Sequence, residues 1–177
     1  MFEASKAATT TIDLSEDRQS ARVRMGEFRH PAQPTHILGV FGDVGRSILY
    51  PVHAIVFALH CTHLSPFKPS LANFRHQVLP VKWRKIPHPE YFFSLYKYLY
   101  LQSTDFLHEP PFHPPDITTC DEATLRLYVR NVVGFWANVC NFGVQDNALW
   151  ETMYEVYEEL MQAIVDLSDQ QAEGSRE

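Results

Sequence analysis

His60, Cys61 and His63 fall close together, with His53 and His76 on either side. Histidines at i and i+3 can share a helix face, which is a geometry zinc can use. No spacing here matches a structural zinc motif, however, and Cys61 projects from another side of the same helix. These side chains are therefore expected at a helix end and in the core, and no metal is expected. Cys61, Cys120 and Cys140 form no CxxC pair and sit in apolar helical contexts, where a thiol is held protonated rather than activated. Cys140 with His113 as its base is the one Cys–His combination left open. The glycines of GVFGDVG, residues 39–45, lack the lysine and Ser/Thr of a phosphate loop and fail GxGxxG. Glu151, Glu155, Glu158 and Glu159, with Gln162, have the spacing of a solvated helix face rather than of paired catalytic carboxylates. The knot Lys82-Trp83-Arg84-Lys85 reads as a solvated strand end. No catalytic residue and no cofactor are assigned.

Charge is unevenly spread. From Asp146 onward there are nine acidic residues and one basic, Arg176, while the rest of the chain is nearly balanced. Basic residues do not gather as a nucleic-acid footprint would require, so no direct nucleic-acid contact is expected. The unpaired cysteines suit a reducing compartment. No apolar signal region follows MFEASKAATTTIDLSEDR, and ILYPVHAIVFAL is too short to span a membrane. The expectation is a soluble protein of the nucleus, the cytoplasm or both.

The elements that would position these residues can be read in order. Residues 1–34 have no period and are expected to be a disordered arm. THILGVF and RSILY flank Gly42-Asp43-Val44-Gly45, a hairpin signal. PVHAIVFALHCTHL predicts a buried helix with Pro51 at its start and Val52, Ile55, Val56, Leu59 and His63 on one face. VLPVKW alternates as a half-buried strand, and Pro80 places it near an edge. IPHPEYFFSLYKYLYL predicts an aromatic helix opened by Pro89 and Glu90, and STDFL a short extended piece. EPPFHPPD, residues 109–116, predicts an extended connector. Thr119 and Glu122 then form a capping box for a helix lined by Leu125, Tyr128, Val129, Val132, Trp136, Val139 and Cys140.

GFWANVCNFGVQDNALW, residues 134–150, packs two tryptophans, a cysteine and an aspartate around Gly143. Gly143 stands where a helix ends in a left-handed residue, and Asp146 where the next helix needs a cap. A second helix follows, with Trp150, Met153, Tyr157, Leu160, Ile164 and Leu167 as its apolar stripe. So short a turn predicts an antiparallel pair with Trp136 and Trp150 in contact. The tail from Ser168, residues 168–177, is expected to fray.

This order of elements resembles a BTB/POZ-type domain. His53, Val56, Phe57 and Cys61 match that family's helix-opening pattern, and Phe92, Leu95, Tyr96, Tyr98, Leu99 and Tyr100 its later aromatic helix. A closer resemblance, over roughly residues 48–165, is to the clampless family of basidiomycete fungi. PVHAIVFALHC, the strand running into PHPEYFFSLYKYLY, and the residues Gly134, Trp136, Asn138, Cys140, Gly143, Val144, Asp146, Leu149 and Trp150 carry it. Phe142 and the basic knot depart from the pattern. The implied fold is an α+β, BTB/POZ-like domain over residues 35–167. It would have a small sheet with a hairpin and about five helices, ending in an antiparallel helix pair. The resemblance implies a non-enzymatic regulator of sexual development, needed for clamp-cell formation and the dikaryon. It would work through protein contacts, with transcription regulators among the partners and an exposed apolar patch as the binding surface. A homodimer is the other partner expected, and the alternative reading is a dimeric adaptor for a ubiquitin-ligase scaffold. No membrane contact is expected.

Overall fold

The computed structural model describes residues 11–14, 20–24, 34–44, 47–69 and 78–174. The chain divides into two compact units, 1–59 with 64–86 and 60–63 with 87–177.

The first unit is a five-stranded sheet. Its strands are β1 (Thr11–Leu14), β2 (Ser20–Arg24), β3 (His36–Phe41), β4 (Ile48–Val52) and β5 (Val78–Lys85), in the order β1-β2-β5-β3-β4. The glycine-flanked loop makes the expected hairpin, with Val40 opposite Ile48. Asp43 in that loop forms an ion pair with Lys85. After helix α1 (Ala54–His60) the chain returns as β5, parallel to β3 from Ile37↔Val81 to Phe41↔Lys85. Ile37, Leu38, Val40, Val52, Phe57 and Leu79 are buried. The Phe67 ring lies 4.8 Å from His36 and 6.2 Å from Phe57. Lys82 lies 5.5 Å above that same ring and donates to Ser65 Oγ at 2.7 Å. Burial, then the charge of Arg84, lowers the pKa of Lys82. This part of the basic knot is thus occupied by its own fold.

Four expectations change here. Strands β1 and β2 lie inside residues 1–34, read as an arm without elements; the rest of that stretch lies outside the described residues. β5 is an interior strand, paired on both sides. Pro80 is tolerated because it sits opposite Ser20 at one end of the β2 ladder and just before the β3 ladder begins. Pro51 belongs to edge strand β4, opposite Ile37, and does not open a helix. Helix α1 is therefore only two turns long. It buries Phe57, while Ile55 and Leu59, two of the expected core residues, are 63% and 72% exposed.

The second unit is helical. A 3-10 turn (Pro89–Tyr91) leads into α2 (Phe92–Leu101), and further 3-10 turns occupy Asp105–His108 and Ile117–Thr119. Helices α3 (Glu122–Phe142) and α4 (Asn147–Gly174) complete it, giving four α-helices among the described residues where about five were expected. STDFL is thus a helical turn, not an extended piece. EPPFHPPD is drawn into turns because Phe112 is a core residue, with ring centroids 5.2 Å from Phe135 and 5.7 Å from both Tyr91 and Phe106. Asp121, not Thr119, caps α3, accepting from the Thr124 amide at 2.8 Å. Thr119 ends the preceding turn. At the other end α4 continues through Ser168 to Gly174. No helix among the described residues is long and apolar enough to cross a membrane.

Candidate interaction surface

The stretch 134–150 is a turn between two packed helices, as its sequence predicts. Gly143 has φ of 66°, in the left-handed region. Its amide donates to the Cys140 carbonyl at 3.0 Å, and that of Val144 to Val139 at 3.2 Å. These two bonds are the Schellman termination. A side chain at 143 would also collide with Thr62 and with the His63 ring, 2.6 Å away. Asp146 caps α4 by accepting from the Ala148 amide at 3.0 Å. Its other oxygen accepts from the Tyr98 hydroxyl at 2.5 Å. That hydroxyl, then the Leu149 and Ala148 amides and the nearby His60, hold the Asp146 carboxyl below its usual range. Burial, aided by Asp146, holds Tyr98 above its own. Trp136 and Trp150 meet edge to face at 5.6 Å, and the Trp150 indole donates to the Val144 carbonyl at 3.0 Å.

Two asparagines on α3 tie it to other segments: Asn138, which the sequence offers only as part of the family pattern, and Asn131, which it does not single out. Asn138 is fully buried; its Oδ1 accepts from the His88 amide at 3.1 Å and its Nδ2 donates to the His88 carbonyl at 2.6 Å. The side-chain amide thus stands in for a neighbouring strand. Asn131 donates to the Pro111 carbonyl at 2.6 Å and accepts from the Tyr91 hydroxyl at 2.6 Å. Between them, Gly134 leaves room for Tyr91, whose ring would lie 2.6 Å from an added Cβ. Asparagines seven residues apart on an otherwise apolar helix face were the available signal.

The residues weighed for chemistry are not assembled. Cys61 is 4% exposed, pairs with Val144 in a β-bridge, and its thiol is pushed up to about 12 by burial. The His63 ring bonds the Cys140 carbonyl at 3.1 Å through Nδ1. Among the described residues, no group of three or more His, Cys, Asp or Glu side chains could hold a metal ion. Cys140 lies on the exposed side near the end of α3. His113 belongs to the segment tied to Asn131, nine residues and about 13 Å away along that helix, and its Nε2 lies 3.4 Å from Glu159. They form no catalytic pair.

What remains available is surface. On α2, Phe93 is 55% exposed and continues into Tyr96 and Tyr100 at centroid spacings of 6.4 and 5.0 Å. On α4, Leu149, Met153, Val156, Leu160 and Ile164 are buried, close to the expected stripe. A second stripe, Tyr154, Met161 and Val165, stays exposed, with Tyr157, Glu158, Glu159 and Gln162 of the same helix around it. The glutamates 151, 155, 158 and 159 are exposed, as their spacing predicts.

Neither the curated proteins nor the solved structures supply a match to the chain. Family models do, over nearly its whole length. Residues 3–108 match the N-terminal domain of Clampless protein 1, and residues 117–177 match its C-terminal domain. The interval between the two is the proline-rich segment that Asn131 holds through the Pro111 carbonyl. Since the two matches together cover nearly the whole sequence, this chain belongs to the clampless family.

Proposed function

We propose that the chain is a non-enzymatic regulator of clamp-cell formation and dikaryon maintenance, acting by binding other proteins, transcription regulators among them, in the nucleus or cytoplasm. The family supplies the link to clamp formation. One observation carries the mode of action. The segment 134–150, which holds Asp146 and both paired tryptophans, is committed to turn geometry, ring packing and hydrogen bonds, while apolar side chains on α4 face solvent. Deleting the gene and crossing compatible strains should abolish clamp connections. Normal clamps and normal dikaryotic growth would overturn the reading.

A second reading is a BTB-like dimeric adaptor for a ubiquitin-ligase scaffold. It is favoured by a hairpin whose first strand pairs in parallel with a later strand, followed by an aromatic helix and a helix pair. Light scattering on the purified chain tests it: a dimer at micromolar concentration supports the adaptor, and a monomer removes it.

A further inference from the structure

We propose that the second apolar stripe of α4 is the docking face for a lysine- or arginine-rich amphipathic helix of a partner protein. This rests on the reading of the chain as a protein-binding regulator.

Tyr154, Glu158, Met161 and Val165 stand at i, i+4, i+7 and i+11, which places them on one face over about three turns and 16 Å. Tyr154 is 51%, Met161 36% and Val165 47% exposed. With Tyr157, Glu159 and Gln162 they make up one open face of the helix. Anchors at this spacing are what a helix laid along a helix engages. The Tyr154 hydroxyl bonds to the Glu158 carboxylate, which fixes an acid beside the stripe.

Charge selects the occupant. Helix α4 contains no lysine or arginine. Glu151, Glu155, Glu158, Glu159 and Asp166 all lie on its exposed sides, so the stripe has an acidic margin. A second copy of α4 would bring the same margin and set like charges face to face, which costs affinity. A helix carrying apolar anchors flanked by Lys or Arg satisfies both features. Basic flanks would also speed its encounter with the acidic face.

The test uses the full chain and a labelled synthetic peptide of about three heptads, with leucine at a and d and lysine at e and g. Fluorescence anisotropy should show saturable binding that weakens in ~0.5 M salt. Met161→Glu should weaken it by roughly tenfold or more, and the same peptide with glutamate at e and g should not bind. Val165→Ser provides a second variant should Met161→Glu fail to fold, and circular dichroism checks both. Equal affinity for folded Met161→Glu and Val165→Ser, or equal binding of the glutamate peptide, overturns the proposal. So does a wild-type dimer that Met161→Glu dissociates, since the occupant would then be a second copy. Failure of the peptide beside a deletion strain that lacks clamps removes the docking face alone. Normal clamps beside intact peptide binding remove the regulatory reading alone.

Discussion

Helix α4 carries two methionines about two turns apart with opposite fates. Met153 is fully buried and Met161 is 36% exposed; likewise Val156 is buried while Val165 is 47% exposed. The residue types are the same and the helix is continuous from Asn147 to Gly174. The difference comes from what lies opposite. One stripe belongs to the core of the helical unit, and the other faces outward with acidic residues beside it. Apolar character along a helix therefore marks what can be buried, while its neighbours decide what is.

That contrast can be broken or sharpened by measurement. Met153→Ala should cost about 2–4 kcal/mol in urea unfolding, the cost of a core truncation. A loss as small as that of an exposed site would show that the first stripe is not core. Gly143→Val should cost about 2 kcal/mol, because its backbone is left-handed and the added side chain meets Thr62 and His63. A neutral result would show that the two stripes do not depend on this turn. Asp146→Asn should cost less than about 1 kcal/mol at neutral pH, since asparagine also caps helices. It should also flatten the acid limb of stability. The folded Asp146 pKa lies below its unfolded value of about 3.9, so its contribution is full above that pH and is lost as pH falls through the folded value. A wild-type acid limb unchanged in Asp146→Asn would refute this. Met161→Ala should change stability by no more than about 0.5 kcal/mol. A loss matching Met153→Ala would erase the distinction on which the docking face depends.

The legible parts of the fold are those settled by nearby residues. A glycine that can turn left-handed, an aspartate three residues on, and tryptophans on either side define the turn without distant help. Helix α1 shows the converse. Ile55, Val56 and Leu59 have a helical period, yet β4 takes Pro51 and Val52 by pairing with β3, which leaves two turns and buries Phe57 instead. Strand β2 likewise forms by pairing with β5, more than fifty residues later, with no punctuation in its own sequence to announce it. The exposed stripe could not be separated from the buried one, because both satisfy the same periodicity. Asn131 and Asn138 interrupt an apolar face in the sequence. The backbone groups of His88 and Pro111 and the Tyr91 hydroxyl explain them.

The side chains of α3 and of the turn after it have a bearing on how the family's two named domains can be separated. His88 to Asn138, Tyr91 to Asn131 and Tyr98 to Asp146 each join a residue of the first family match to one of the second. Severing the chain within 109–116 would strip α3 of its amide partners and bare Phe135 and Phe142 to water. The C-terminal match is therefore not a portable cassette. A truncation that starts at residue 117 will lose its own fold, and a mating defect that it causes will report that collapse and not the loss of a partner.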